Sequence, residues 1–169
     1  MRFNNKKKDK FLESRPKCDI ETSGIACRSK FNFSYFDSSQ AYGQNFSDWN
    51  QATGLCSLVS LLDKIKQYTK MPLSYWRNER VGRGGLKTLA YYQSFPKKSN
   101  FKFPPHVPHD VIWARFRLGS KVRLIGFVIP EKLSGKTIED EAGKFVLDCN
   151  TFYVVFLDKD HKFYITEDA

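Results

Sequence analysis

Two strand-like segments that flank a short loop constrain the fold of this chain more than any other feature. Residues 111–118 and 122–129 are rich in β-branched and aromatic side chains, and a glycine begins the loop at 119–121. Such a pattern predicts a β-hairpin. A two-residue loop would pair Phe116 with Arg123, whereas a three-residue loop pairs Phe116 with a leucine and leaves one face wholly apolar. Because a slip of one residue exchanges the two faces, we expect the three-residue loop.

The opposite face of this hairpin combines basic and aromatic side chains, namely those of Arg115, Arg117, Arg123, Trp113 and Phe127. The expected register places Arg117 opposite Arg123, and like charges in that position destabilise a sheet. A bound phosphate would relieve the repulsion, because guanidinium groups donate to it bidentately. We predict that Trp113 and Phe127 offer surfaces on which a nucleic-acid base stacks. The alternative is a solvated face whose arginines extend into water or pair with the acidic 130–150 connection.

Basic residues are concentrated in the middle of the chain. The net charge of the whole chain is +10, and residues 64–129 alone carry fourteen Lys/Arg against two acidic residues. A polyanion is the natural partner of such a surface, and nucleic acid is the commonest one; charge that serves only solubility is the alternative. Lys121 in the hairpin loop is therefore predicted to bind nucleic acid, as are Arg80 and Arg83 in the glycine-rich segment at 80–85. That segment lacks the spacing of a phosphate-binding P-loop.

The remaining pattern predicts an α+β fold with an N-terminal arm. Residues 1–30 are polar and lysine-rich, and we expect a basic, mobile arm there. Residues 31–169 are expected to form one α+β domain, in which N-terminal helices pack on a small twisted antiparallel sheet at 111–165. The clearest helix should begin near Ser47 and end before Pro72, because proline disfavours helical geometry in the residue ahead of it.

The expected sheet has a third strand after the hairpin. Residues 151–157 are nearly all apolar, which predicts a strand in the centre of the sheet. The acidic residues 130–150 are expected to form a connection, and residues 161–165 a short final segment. A further helix is considered at 86–92.

The stretch from Arg115 to Ile125 resembles the central hairpin of the RelE/HigB-like toxins, in which two basic residues and a glycine-containing turn precede an arginine followed by aliphatics. The strand at 152–157 and the sequence at 161–164 resemble the last strands of that family, which end in His-x-x-Tyr in the HigB branch. The resemblance covers about residues 111–164 and implies a RelE-like fold with an N-terminal extension. Many members of the family are ribosome-dependent mRNA endonucleases that an antitoxin neutralises.

The resemblance also implies roles for single residues. Arg115 and Arg117 match the family's first basic pair, Arg123 matches its later arginine, and His161 and Tyr164 match its closing pair. The implied chemistry is attack of a ribose 2′-OH on the adjacent phosphate, with no metal and no other cofactor. The arginines would hold the phosphate, and His161, whose ordinary pKa is about 6.5, would transfer protons. Tyr164 would stack on a base or orient the nucleotide. The expected partners are mRNA, free or on the ribosome, and an acidic antitoxin-like protein.

Hydropathy and cysteine usage restrict other classes of protein. No run of about 18 apolar residues predicts a membrane span, and no signal-like segment follows the N-terminus, so we expect a cytoplasmic protein with reduced thiols. No small-molecule ligand is expected. Cys18 and Cys27 could be combined with His106 and His109 into a zinc site, but their spacing is not that of a zinc finger, and no metal is predicted.

Three functions remain open from the sequence. The first is a metal-independent RNA endonuclease of the toxin type. The second is a module that binds RNA or DNA through the same basic face without cutting it, which predicts salt-sensitive binding and no product. The third is an interaction protein whose basic face docks an acidic partner.

Overall fold

The computed structural model describes residues 6–15 and 18–165. Its helices are α1 (Lys6–Glu13), α2 (Phe46–Gln51), α3 (Leu58–Tyr68) and α4 (Leu73–Asn78). Its strands are β1 (Lys30–Asn32), β2 (Arg80–Val81), β3 (Leu86–Lys87), β4 (Leu89–Gln93), β5 (Ile112–Arg117), β6 (Arg123–Val128), β7 (Thr137–Asp140), β8 (Gly143–Val146) and β9 (Thr151–Asp158). Short 3-10 turns lie at Ile25–Cys27, Gly54–Cys56 and Glu131–Leu133. The α+β class is therefore confirmed.

Five strands form one mixed sheet in the order β1-β9-β6-β5-β4. All neighbours are antiparallel except β1, which runs parallel to β9. The expectation of an antiparallel sheet at 111–165 is wrong in two respects. The strand β1 runs parallel to β9, and both β1 and β4 precede residue 111. The strand β9 lies between β1 and β6, so it is an inner strand, although β6 is the middle one. Two small hairpins, β2–β3 and β7–β8, form separate two-stranded sheets.

The register expected for the central hairpin is confirmed. Phe116 lies opposite Leu124, and Arg117 lies opposite Arg123. The turn closes with a hydrogen bond from the Leu118 N–H to the Val122 carbonyl at 3.1 Å. The alternation of β5 and β6 therefore puts the three arginines on one face, as the apolar pattern of the other face requires.

The apolar face of the hairpin packs against the helices. Its core cluster includes Trp49, Leu61, Tyr68, Leu73, Phe116, Leu124 and Phe152. Gly126 on β6 allows the close approach of β9, because a Cβ there would collide with the Tyr153 carbonyl oxygen and would lie 2.7 Å from the Phe152 ring. The register shifts at this point, between Ile125 and Gly126.

The second face of the hairpin is buried at its aromatic end. Trp113 is 1% exposed and Phe127 is 3% exposed. They belong to a second core cluster with Phe101, Val107, Val111, Ile125, Val155, Phe156 and Phe163. The prediction that Trp113 and Phe127 offer exposed stacking surfaces is wrong. The rings of Phe95, Phe103 and Phe163 pack on Trp113, and those of Tyr35 and Tyr153 pack on Phe127.

The predicted long helix is divided into two. Asn45, and not Ser47, caps α2 in a reciprocal arrangement with Asp48. Gly54 has a φ of 68°, a left-handed conformation that a helix cannot contain. The backbone is already extended at Ala52 and Thr53, after the end of α2, and a 3-10 turn from Gly54 leads to α3, which Ser57 caps. Leu73–Asn78 forms a separate helix after Pro72.

One other expectation is wrong. Residues 86–92 lie in the strands β3 and β4 and form no helix. The acidic connection at 130–150 contains the hairpin β7–β8, and the short final segment expected at 161–165 consists of bends.

The N-terminal arm is described only in part, since residues 1–5 and 16–17 of the predicted arm lie outside the described residues. The helix α1 has no buried residue, and the prediction of a mobile arm stays a prediction. Among the described residues, no helix has both the length and the apolar character needed to cross a membrane.

Candidate active site

Arg115, Arg117 and Arg123 form a cluster, called here the arginine cluster, at the turn end of the hairpin. Arg117 and Arg123 are directly paired across the strands, and Arg123 is paired on its other side with Asp158 of β9. The aromatic end of the same face is covered, whereas Arg115 and Arg117 are only half-buried. The three cations predicted from the sequence therefore lie together.

Arg123 is the most deeply buried member of the arginine cluster, with 4% of its surface exposed. Its Nη1 donates to the carbonyl oxygens of Gly119, Ser120 and Val122 at 3.0, 2.9 and 2.8 Å. These bonds tie the guanidinium to the hairpin turn. Arg123 thus has a structural role that its position in the sequence did not predict, and this role leaves less of the side chain for a phosphate.

Each arginine of the cluster has one buried donor that remains unused. The Nη1 atoms of Arg115 and Arg117 donate to the carbonyls of Lys87 and Ser120 at 2.9 and 3.1 Å. The Nε atoms of all three arginines are buried and meet no hydrogen-bond partner in the described part of the chain. An unpaired buried donor typically costs about 1–3 kcal/mol, so the protein alone leaves part of the hydrogen-bonding capacity of the cluster unused.

Mutual repulsion also acts within the arginine cluster. Burial, together with the charges of Arg117 and Arg115, lowers the pKa of Arg123 to about 10. Burial and Arg115 likewise lower the pKa of Arg117. A bound anion would favour the charged state of Arg117 and Arg123.

Asp158 does not neutralise the cluster through a direct ion pair, since its carboxylate serves the backbone. It is 1% exposed, and its Oδ1 accepts from the N–H groups of Asp160 and Lys162 at 3.2 and 3.0 Å. Its Oδ2 accepts from the Phe163 N–H at 2.9 Å. These three bonds fold residues 159–163 into a tight turn.

His161 lies in this turn, near enough to Arg123 and Arg115 for their charges to act on its imidazole. Its φ is 59°, a left-handed conformation that is uncommon for a residue with a side chain. The imidazole is half-buried. Burial lowers its pKa from 6.5, and the charges of Arg123 and Arg115 lower it further against the opposing charge of Asp158. The imidazole is therefore neutral at pH 7 and can accept a proton.

Tyr164 stacks on a tyrosine that the sequence did not single out. Its ring centroid lies 5.2 Å from that of Tyr92, with 8° between the planes, and Tyr164 remains 42% exposed. Burial raises the pKa of Tyr92, against the charge and hydrogen bond of Arg115. The sequence of residues 86–92 is compatible with a helix and does not single out Tyr92. Only the pairing of β4 with β5 brings Tyr92 to Arg115.

The predicted nucleic-acid-binding lysine and arginines lie in different positions. Lys121 is exposed and shares with His161 and Tyr164 the walls of a cleft of about 360 Å³. Arg80 shares with Arg117 the walls of a second cleft of about 520 Å³. Arg83 is exposed in the turn of the β2–β3 hairpin, and as far as the structure describes the chain it lines neither cleft.

The imagined zinc ligands are not assembled. His106 Nε2 lies 3.1 Å from the Tyr35 carbonyl oxygen, and Cys18 and Cys27 are exposed free thiols. Within residues 6–15 and 18–165, no group of three or more His, Cys, Asp or Glu side chains could hold a metal ion.

Taken together, the site joins a cationic cluster that lacks an acceptor, a neutral imidazole and an exposed stacked tyrosine. Such a set can bind an oxyanion, accept a proton beside it and support a planar group. Comparisons of the chain with protein-family models, with curated proteins and with solved structures found no match. The resemblance of residues 111–164 to the RelE/HigB-like toxins stays a prediction.

Proposed function

We propose that this protein is a metal-independent RNA endonuclease of the toxin type, with a RelE-like arrangement of its hairpin and last strand. The observation that carries the proposal is the arginine cluster, with three buried unpaired Nε–H donors, beside the neutral imidazole of His161. The substrate class is mRNA, either free or on the ribosome.

The first step is binding of the scissile phosphate by the arginine cluster. Its oxygens accept from the part of the Arg115 and Arg117 guanidinium groups that reaches solvent, while Arg123 holds the turn and adds its positive charge. The phosphate removes the repulsion between the guanidinium groups, and they stabilise the charge that gathers on its oxygens in the transition state. Lys121, at the edge of the same site, adds to the attraction.

The second step is an internal displacement at phosphorus. His161 takes the proton of the ribose 2′-OH, the 2′-oxygen bonds to phosphorus, and the bond from phosphorus to the 5′-oxygen breaks. The departing oxygen takes a proton from solvent. The products are a 2′,3′-cyclic phosphate and a 5′-hydroxyl, and His161 later returns its proton to water. General base catalysis of this kind typically contributes about 10²–10⁴-fold to the rate.

Tyr164 supports the base next to the scissile phosphate. Its ring is exposed on one side and stacked on Tyr92 on the other, so a base that binds there extends an existing stack. Base stacking on an aromatic side chain is typically worth about 1–3 kcal/mol. An acidic antitoxin-like protein would inhibit the enzyme by covering the same cations.

A second candidate function is nucleic-acid binding without cleavage. The observation that favours it is the engagement of Arg123 Nη1 by three carbonyl oxygens, which leaves two half-buried arginines to act on the phosphate. Two guanidinium groups suffice for phosphate binding, whereas a transition state gains from every cation that faces it.

The experiment is an incubation of the purified protein with end-labelled mRNA in EDTA, with and without ribosomes. His161→Ala is the test variant and His109→Ala is the matched control, since His109 is exposed and lies outside the site. We expect cleavage that leaves 2′,3′-cyclic phosphate ends, is unchanged in His109→Ala and falls by about 10²-fold or more in His161→Ala.

Two other outcomes separate the candidates. Salt-sensitive binding of RNA with no product under any condition would establish the binding module and overturn the nuclease. Neither binding nor cleavage at low salt, from protein with a cooperative unfolding transition, would overturn both.

A further inference from the structure

A groove beside the arginine cluster is not used by the proposed reaction. It lies between α3 and the β2–β3 hairpin and has a volume of about 520 Å³, within the range of about 300–1,000 Å³ that is usual for ligand sites. We call it the hairpin groove and define it by Lys64, Arg80, Val81, Leu86 and Arg117.

The walls of the hairpin groove offer uncovered apolar surface. Val81 and Leu86 are directly paired across the β2–β3 hairpin, and they are 45% and 50% exposed. The floor includes Tyr68 and Trp76, whose polar atoms are already used. The Tyr68 hydroxyl donates to the Arg117 carbonyl, and Trp76 Nε1 donates to the Tyr68 carbonyl at 2.7 Å. The interior is therefore suited to a flat apolar group.

The charge at the rim of the hairpin groove is positive. Lys64, Arg80 and Arg117 line it. Glu79 is the acidic residue of its walls, and its carboxylate forms a hydrogen bond with the Tyr75 hydroxyl. An occupant that carries negative charge at its edge and an apolar face at its centre matches this arrangement.

Arg117 connects the hairpin groove to the arginine cluster. Arg117 is among the residues that line the groove, its Nη1 donates to the carbonyl of Ser120, which also lines it, and it is paired with Arg123 across the hairpin. A phosphate on Arg117 therefore lies at the mouth of the groove, and the next unit of the same strand is the group that can enter it.

We propose that the hairpin groove is a subsite for a nucleotide of single-stranded RNA, next to the phosphate that the arginine cluster holds. The base packs against the side chains of Val81 and Leu86, and its phosphate lies against Lys64 and Arg80. This inference rests on the proposed function and extends it, because it gives the enzyme a second base-binding position on the side of the cluster that is remote from Tyr164.

The test is binding of a fluorescent, 2′-O-methylated single-stranded RNA of about 10 nucleotides, which cannot be cleaved by its own 2′-OH. Val81→Glu places a carboxylate in the groove, and Val146→Glu makes the same exchange at an exposed position, 65% accessible, on the separate β7–β8 hairpin. We expect Val81→Glu to weaken binding about tenfold and Val146→Glu to leave it unchanged. Thermal unfolding of both variants verifies that they fold.

A second measurement addresses the charges. Lys64→Gln should lower the slope of log K against log salt by about one, because one phosphate contact is lost. A 4-thiouridine in the same RNA should cross-link to residues 81–86, as mapped by mass spectrometry of peptides.

The outcomes separate this inference from the proposed function. Tight RNA binding and cleavage by the unmodified protein, with Val81→Glu and Lys64→Gln both indistinguishable from it, would overturn the groove and leave the nuclease intact. Failure of the unmodified protein to bind RNA at low salt would overturn the proposed function, and the groove with it.

Discussion

At the scale of single residues, Asp158 holds the turn that carries His161. Its carboxylate accepts three backbone N–H groups and is nearly inaccessible to solvent. Replacement by asparagine keeps the size of the side chain but replaces one acceptor oxygen with a donor group. We expect Asp158→Asn to lower the free energy of unfolding by about 1–3 kcal/mol, measured by urea denaturation, because a buried N–H loses its acceptor. The exposed Asp110→Asn should be neutral.

The same variant tests whether Asp158 positions His161 electrostatically. The charge of Asp158 raises the pKa of the imidazole, whereas burial and the arginines lower it. Asp158→Asn should therefore lower the pKa of His161 further, as observed by NMR titration of the imidazole protons. An unchanged titration curve in a folded variant would show that Asp158 supports only the backbone.

The depressed pKa of His161 sets the pH dependence of cleavage. A general base must be neutral, so kcat/KM should rise with pH through a pKa below 6.5 and then level off. Arg115→Gln should shift this acidic limb to higher pH, because it removes one of the charges that lower the pKa of His161. The unfolded chain binds this proton more readily, so the free energy of unfolding should also fall as pH drops from about 6.5 through the folded pKa. An acidic limb above 6.5 would contradict the assignment of His161.

At the scale of secondary-structure elements, the contact between β6 and β9 depends on Gly126. A Cβ at this position collides with the backbone of β9 and with the Phe152 ring, and neither can move without disturbing the sheet. We expect Gly126→Ala to lower the free energy of unfolding by about 3 kcal/mol or more, as measured by chemical denaturation. Gly84→Ala is the matched control, because a Cβ at Gly84 meets open space. Equal stability of the two variants would mean that the strands do not approach as closely as described.

At the scale of the whole molecule, part of the excess positive charge is withdrawn from solvent in the arginine cluster, where Arg123 is buried and Arg115 and Arg117 are half-buried. An anion that binds there only in the folded state stabilises the protein by mass action, by about 2.7 kcal/mol at a hundredfold excess over its Kd. We expect inorganic phosphate to raise the Tm at constant ionic strength, and to raise it much less in Arg115→Gln/Arg117→Gln. Lys132→Gln/Lys136→Gln removes the same charge from exposed positions on the 130–150 connection and should respond like the parent protein. An equal rise in all three proteins would indicate a general effect of phosphate on the solvent.

The central hairpin and the grouping of its arginines could be predicted from the amino-acid sequence. Both follow from local rules, because the length of the loop and the alternation of side chains leave one register that buries a clean apolar face. His161 and Tyr164 could be named from a local pattern, although their place beside the arginines depends on the pairing of β9 with β6.

How much of the hairpin's second face is exposed to solvent depends on tertiary contacts. Trp113 and Phe127 are covered by residues distant in sequence, such as Phe163 on Trp113 and Tyr35 on Phe127, and the turn of Arg123 binds its guanidinium through carbonyl oxygens. Tyr92 reaches Arg115 through a strand pairing that local propensity does not reveal, and Gly54 divides a helix that apolar periodicity alone would continue. The physical reason is the same in each case: burial and partner choice depend on contacts between distant segments, whereas alternation and turn length act between neighbours.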